Sequence, residues 1–305
     1  MSIEVIATGL QTTIQDLGRR GWSHMGVPES GAADKFSLKV ANYLLSKDIN
    51  SPAIECTLTG PSLKFLKSYY LVITGADMKP KINDKSFKMY KAIQVKANDL
   101  LSLSSCSIGC RSYIALSEDL VSERFLDSAS TYLPGKLGGI EGLPLEVGSV
   151  ISTIKADFDV TKSDEIDPYL INPYTNDWQL SAMEGLEFKF LSSKSKKDIF
   201  TTTFTVSNDS SRMGNRLKGI NLELINNGHM VSEPMSVGSV QCPNNGLPII
   251  LGCDSQTLGG YPRILQIAET DFPIIGQLRP HDRVSFKKIT IDEARSELKK
   301  QTLPF

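Results

Sequence analysis

Apolar and polar positions alternate in short runs along most of this chain. "SIEVIAT" (Ser2–Thr8), "PAIECTL" (Pro52–Leu58), "YYLVITG" (Tyr69–Gly75), "AIQVKA" (Ala92–Ala97), "LLSLS" (Leu100–Ser104) and "RSYIAL" (Arg111–Leu116) are rich in Val, Ile, Tyr and Leu. Many are bounded by Gly, Pro, Asn or Asp, the pattern of short strands separated by turns. Helical periodicity is scarce. It is clearest from Asp34 to Leu45, where Phe36, Val40, Ala41, Leu44 and Leu45 fall near one face. The Asp34 carboxylate can accept the free N–H groups of that first turn. A second helix is predicted at Ile291–Lys300, capped by Thr290 with Asp292 and Glu293 in its first turn, and a short helical turn in "DFPIIGQL". The expectation is a mainly β protein with a few short helices.

One device recurs. "VKANDLLSL", "LEVGSVIST", "MSVGSVQCP" and "LRPHDRVSF" each set a tight turn before an apolar strand, twice in each half of the chain. The spacing is too irregular for a solenoid, and the device reads as hairpins around β-barrels. "KADFDVTKSDEIDPYLINPYTND", Lys155–Asp177, is polar, acidic and short of β-runs, so it reads as a connection between two domains or a long excursion on one. The predicted division is an N-terminal β-barrel domain over residues 1–170, with its one helix at about 34–45, and a C-terminal β-barrel domain over 171–305.

Composition narrows this little. The 305 residues are 40% hydrophobic and 22% charged, enough apolar material for a full core. The formal net charge of −1 argues against nucleic acid or a membrane surface as partner. Neither a signal peptide nor a membrane span is expected. The odd set of cysteines, Cys56, Cys106, Cys110, Cys242 and Cys253, sits mostly in apolar segments and suggests reduced, buried thiols in a cytoplasmic protein. Cys106 and Cys110 lack a second pair or a nearby His, so no metal site is expected.

Three clusters carry candidate chemistry. In the first, Gln15, Asp16, Arg19 and His24 follow a strand and are interleaved with Gly18, Gly21, Gly26 and Gly31. Loops on rigid scaffolds are favoured places for binding residues, and a long ordered loop with left-handed glycines is the plainer reading. In the second, Arg212 and Arg216 flank Met213-Gly214 and can clamp a carboxylate or phosphate, or simply pair with surface acids. Arg212→Ala is expected to lower activity and leave the fold intact. In the third, a strand delivers Asp254 and Gln256 into a Thr-Leu-Gly-Gly turn ending at Gly260, followed by Tyr261 and Arg263. Asp254 can act as a base or orient an Arg, and an Asx-turn is the alternative. A further Gly-rich loop carries Lys136. Glu55 lies within an apolar strand and needs a partner if buried. His229 and His281 read as turn residues without a catalytic part. GxSxG, HExxH and the P-loop pattern are all absent.

The ordered set "GLQTTIQDLGRRGWSHMGVPESGAADKFSLKVANYLL", "AIECTLTGPSLKF", "STYLPGKLGGIEGLPLEVGSVI", "SSRMGNRLKG", "DSQTLGGYPRI" and "LRPHDRVSF" resembles the biotin-dependent carboxyltransferase and allophanate hydrolase subunit 2 family over almost the whole chain. The resemblance implies cyclophilin-like β-barrels and a partner subunit of related fold. It implies ATP-dependent opening of 5-oxoproline to glutamate by a three-subunit complex. The partners implied are the related β-barrel (B-type) subunit of 5-oxoprolinase and a LamB/YcsF-like subunit. ATP is then expected at the level of the complex. Asp16 and Asp254 are carried over as candidate catalytic residues. Gln15, Arg19, Arg212, Arg216, Gln256 and Gly260 are carried over as candidates for binding a small-molecule amide. The family pattern usually has Tyr where Asn215 stands, an acid at Ser211, Arg at Ser255, Gly-Gly near Glu118-Asp119 and Arg near Ala129. Two alternatives stay open. One is a regulatory module that engages a kinase-inhibitor-like partner. The other is a carboxyltransferase acting on urea or a similar amide, with biotin on another chain, since no AMKM-like biotinylation motif occurs here.

Overall fold

The computed structural model describes residues 2–156, 166, 173–228 and 230–300. Most of the expected connection Lys155–Asp177, and His229, lie outside the described residues. The chain forms two compact units. Of the described residues, the first takes those up to Arg19 and from Ser30 to Tyr174, and the second Arg20–Glu29 and those from Thr175 to Lys300.

The first unit stacks two antiparallel sheets, one of six strands and one of five. Their facing residues form a single core: Ile3, Val5, Leu63, Phe65 and Leu101 from one sheet meet Ile14, Ile54, Leu71, Ile73 and Ile114 from the other. Burying each such side chain contributes about 1.5–3 kcal/mol relative to exposure. The second face of the five-stranded sheet is divided. Ala53, Val72 and Ala115 pack under the helix Lys35–Tyr43. Thr13, Gln15, Glu55, Thr74, Arg111 and Tyr113 share that face by strand periodicity and register, and all are buried. Asp34 caps the helix as expected, accepting from the Ser37 N–H at 2.9 Å.

The second unit is a closed seven-stranded barrel. Six of its pairings are antiparallel. The seventh, between Asp177–Glu184 and Arg283–Lys288, is parallel and aligns Trp178 with Val284 and Leu180 with Phe286. Alternation places Trp178, Leu180 and Ala182 inside. The helix Ile291–Lys300 starts in a capping box: Thr290 N–H donates to Glu293 Oε2 at 2.7 Å, and Glu293 N–H donates to Thr290 Oγ1 at 3.2 Å. The fold is thus mainly β, with a closed barrel and few helices. Among the described residues, no helix is long and apolar enough to cross a membrane.

All four copies of the recurrent device fold alike. The third turn residue, Asn98, Gly148, Gly238 or His281, has φ between 72° and 85°, as a type II turn requires. The fourth N–H donates to the first carbonyl at 3.0–3.1 Å in each, Asp99 to Lys96, Ser149 to Glu146, Ser239 to Ser236 and Asp282 to Arg279. Two copies fall in each unit, as their places in the sequence lead one to expect.

Candidate functional site

In the first unit, strand Gln11–Gln15 ends by handing three side chains to one strap of chain, residues 125–131. Gln15 Nε2 donates to the Thr131 carbonyl and to Thr13 Oγ1, both at 3.0 Å. Asp16 is fully buried. Its Oδ1 accepts from Gly18 N–H at 2.8 Å and Ser128 Oγ at 2.7 Å, and from Ser130 Oγ; its Oδ2 accepts from Ala129 N–H at 2.7 Å. Arg19 donates to the Phe125 carbonyl at 3.3 Å and to the Ser130 carbonyl, and its guanidinium carbon lies 5.9 Å from the centre of the Phe125 ring. Gly138 is in the left-handed region at φ 65°, and a Cβ there would collide with the Ser130 carbonyl. Side-chain bulk is excluded where backbone closes on the strap.

These contacts change the reading of Gln15, Asp16 and Arg19. Their polar atoms turn inward onto the chain's own backbone, and the Asp16 carboxylate is saturated by donors. The Asp16 carboxylate thus ties the loop at Gly18 to the strap at Ser128 and Ala129. The Gln15 Oε1 acceptor is buried with no hydrogen-bond partner. A buried orphan of this kind costs about 1–3 kcal/mol.

Glu55, which needed a partner, has several. Its Oε2 accepts from the Tyr113 hydroxyl at 2.8 Å and from Ala33 N–H at 2.9 Å, and Arg111 Nε lies 3.5 Å from its Oε1. Glu118 and Asp119 are absorbed into ion pairs with Lys67 at 2.6 Å and Lys47 at 2.8 Å. Lys47 Nζ also donates to the Leu116 and Glu118 carbonyls. Burial pulls its pKa below the ordinary lysine value, while Asp119 opposes that fall. The Ala129 position serves through its backbone N–H on Asp16.

In the second unit, Arg212 and Asp254 meet across 42 residues of sequence. Arg212 Nε donates to Asp254 Oδ2 at 2.7 Å and its NH2 donates to Oδ1 at 3.0 Å, with both side chains buried. Bidentate geometry of this kind is the strongest form of such a pair. Arg216 is exposed on strand Gly214–Lys218, whose inward positions are Asn215 and Leu217. The two arginines thus lie in different environments, one buried against an acid and the other in solvent. Asn215 fits its buried place by donating to the Ile275 carbonyl at 3.1 Å. Gln256, half-buried, donates to Gln241 Oε1 at 3.3 Å, and Gly260 is exposed in the turn beyond it. Arg263, just past the third cluster and not among the candidates from sequence, makes a second bidentate pair with Glu187 at 2.7 Å to each oxygen, and donates to the Pro234 carbonyl. Those Arg263 hydrogen bonds hold the Glu187 carboxyl below its ordinary range. His24 is exposed and bonded to the Gly21 carbonyl, and His281 sits in an exposed turn.

Among the described residues, no group of three His, Cys, Asp or Glu side chains is placed to hold a metal ion. All five cysteines are buried and unbridged. Each unit therefore offers buried charge networks that fix loops, beside exposed groups such as Arg216 and Gly260. Neither unit offers a complete acid–base set among the candidates named above.

Residues 25–288 match the family profile of the carboxyltransferase domain, subdomain A and B. The chain is 34% identical over 292 residues to the C-type subunit of 5-oxoprolinase from Haemophilus influenzae, covering 96% of this chain and 93% of that one. It is 29% identical over 314 residues to the urea amidolyase of Saccharomyces cerevisiae, covering 97% of this chain and 17% of that one. Among solved structures, the Kluyveromyces lactis urea carboxylase superposes with a TM-score of 0.92 at 27% identity, over 98% of this chain and 28% of that one.

Proposed function

The chain belongs to the carboxyltransferase domain family, subdomain A and B, and from that premise we propose that it is one subunit of an ATP-dependent 5-oxoprolinase. The reaction is hydrolysis of the lactam of 5-oxo-L-proline to L-glutamate. One observation carries the reading. The chain is 34% identical to the C-type subunit of a 5-oxoprolinase over 93% of that subunit, against 29% to the urea amidolyase.

The geometry supports a shared site. Lactam opening needs a stabilised oxyanion at the carbonyl carbon and a proton for the departing nitrogen. Asp16 is saturated by internal donors, and Asp254 is engaged bidentately by Arg212. We assign both to positioning. Asp16 fixes the strap over residues 125–131, and the Arg212–Asp254 pair fixes the start of the Gly259-Gly260 turn. Gln256, Gly260 and exposed Arg216 remain the candidates to meet an anionic or amide group. The proton-transfer groups and part of the oxyanion site then come from a related β-barrel subunit and a LamB/YcsF-like subunit, with ATP used by the assembly. Arg111 with Glu55 is a buried charge pair of the same structural kind, so it adds no acid or base to that set.

The test is to purify the chain alone and together with its genomic neighbours, then follow glutamate release and ATP hydrolysis. The isolated chain is expected to do neither, and the assembly both. Full turnover by the isolated chain defeats the shared-site reading. A tight assembly with no turnover favours a regulatory module. A second reading is favoured by the TM-score of 0.92 to urea carboxylase over 98% of this chain. In it the subunit takes part in carboxyl transfer to urea or a similar amide, with biotin on another chain. Carboxylation that requires a biotinylated partner, without glutamate release, would establish that reading instead.

A further inference from the structure

The first unit holds a cleft of about 410 Å³ away from the strap that Asp16 fixes. That size lies within the roughly 300–1,000 Å³ of small-molecule sites, which are mostly apolar and aromatic with few polar groups. Phe87, Met89, Tyr90 and Tyr174 supply its apolar lining, and Lys88 and Asp77 its charges. The two tyrosine hydroxyls are committed inward. Tyr90 OH accepts from Gly75 N–H at 3.0 Å and donates to the Gly75 carbonyl at 3.3 Å. Tyr174 OH donates to Asp34 Oδ2 at 3.3 Å and lies 3.2 Å from Ser37 Oγ. With their hydroxyls anchored, the two residues offer ring surface to the cleft, held at little entropic cost. Burial pushes the Tyr90 hydroxyl up to about 12 and raises Tyr174 well above its ordinary value, so neither ring bears charge at neutral pH.

The chain around these rings is basic. Between residues 77 and 96, six lysines, Lys79, Lys81, Lys85, Lys88, Lys91 and Lys96, face two aspartates, Asp77 and Asp84. That is a local excess of four positive charges in a chain of net charge −1. All six lysines are exposed. Fixed aromatic walls beside concentrated positive charge suit a flat ring attached to a polyanion.

We propose that this cleft binds a nucleoside triphosphate, its base against the Phe87, Tyr90 and Tyr174 rings and its phosphates toward Lys88 and the neighbouring lysines. The inference rests on the ATP-dependent reading above and extends it by assigning the nucleotide to this subunit. Among the described residues, Asp77 is the single acid in the lining, and its Oδ1 accepts from Lys79 N–H at 2.7 Å. Its charge opposes the ligand, which makes it a diagnostic position.

The experiment titrates the full chain, alone and in the assembled complex, with a fluorescent N-methylanthraniloyl ATP in magnesium-free buffer. ATP, tripolyphosphate and adenosine are used as competitors. Saturable binding is expected, displaced by ATP and at least about tenfold less well by either fragment, a gap of roughly 1.4 kcal/mol. Lys88→Glu should weaken binding about tenfold or more, and Asp77→Asn should tighten it. Lys197→Glu, an exposed lysine of the second unit, should leave it unchanged. Both cleft positions named are exposed, so the variants should fold. No saturable binding in either form, displacement by tripolyphosphate as good as by ATP, weakening by Asp77→Asn, or equal weakening by Lys197→Glu overturns the assignment. If the complex releases glutamate with an ATP KM that Lys88→Glu does not change, the cleft assignment fails and the 5-oxoprolinase reading stands. If nucleotide binds as expected but no glutamate forms, the reverse holds.

Discussion

Asp16 and Asp254 occur in matching contexts, each just past a strand and ahead of glycine-containing turns, yet the two units bury them by different means. The first unit surrounds Asp16 with neutral donors from Gly18, Ser128, Ala129 and Ser130. The second sets a guanidinium against both oxygens of Asp254. A cage of neutral donors spreads stabilisation over many weak terms, so losing one leaves the rest. An ion pair in a dry site concentrates it in one partner, whose loss strands a buried charge. Identical sequence chemistry thus gives a graded dependence in one unit and an all-or-none dependence in the other.

The largest effect should follow from breaking the concentrated case. Arg212 is 5% exposed, with its guanidinium closed on both oxygens of Asp254. Arg212→Ala is therefore expected to destabilise the protein by about 3–5 kcal/mol rather than spare the fold. Urea denaturation measures this. The double change Arg212→Met with Asp254→Leu should recover most of the loss, because removing both charges removes the stranded one. A single variant within about 0.5 kcal/mol of the parent would show that Asp254 is not truly desolvated.

The distributed case should respond less. Ser128→Ala removes one donor to Asp16 and the Ser128 Oγ acceptor for Ser130 N–H, which lies 3.1 Å away. The expected cost is about 1.5–3 kcal/mol, the range for a hydrogen bond to a charged group. A cost equal to that of Arg212→Ala would erase the contrast between the units.

What the sequence made legible follows the range over which each feature is encoded. Strands such as Tyr69–Gly75 and Arg111–Leu116, the Asp34 and Thr290 caps and all four type II turns are written in neighbouring residues. Pairings such as Arg212 with Asp254 or Asp16 with Ser128 cross 42 and 112 residues, and nothing local marks them. A polar residue in a glycine-rich loop looks the same whether it faces a ligand or its own backbone. The hydrogen bonds that Asp16 accepts from Gly18 and Ala129 N–H are of the second kind. Strand Asp177–Glu184 was readable from alternating Trp178, Leu180 and Ala182, but adjoins an acidic stretch that suggested a linker. Helix Ser195–Thr201 buries only Ser195 and Ile199, too few positions to establish a period.

A second ion pair in the same unit sharpens the comparison through pH. Arg263 holds the Glu187 carboxyl below its ordinary value of 4.5. A carboxylate depressed in the folded state stabilises fully above its unfolded value, and that contribution is lost as pH falls through the folded value. Glu187→Gln should cost about 1 kcal/mol near pH 7, because the pair is partly open to solvent at 13% exposure of each side chain. The difference from the parent should shrink as pH falls below 4.5 and vanish once it has passed the folded value. Melting temperatures of the two proteins across that range test it, and a gap that persists in acid would mean that Glu187 acts through packing rather than charge.

The smallest effect concerns what the two units share. Each repeats the same turn with a left-handed third residue, Asn98 at φ 72° in the first unit and His281 at φ 75° in the second. A left-handed residue with a side chain costs roughly 1–2 kcal/mol, and Asn is among the side chains that tolerate it. Glycine removes the steric cost but adds about 0.5–1 kcal/mol of lost chain freedom on folding. For His281→Gly the two terms leave a net gain of a few tenths of a kcal/mol. For Asn98→Gly they should cancel, because there is less strain to relieve. His281 meets this turn's demand through its backbone N–H, which donates to the Val206 carbonyl at 2.9 Å and survives the change. Paired urea titrations of the two variants give the answer. A loss of stability at His281→Gly would mean that the imidazole has a part in the turn that its exposed position does not reveal.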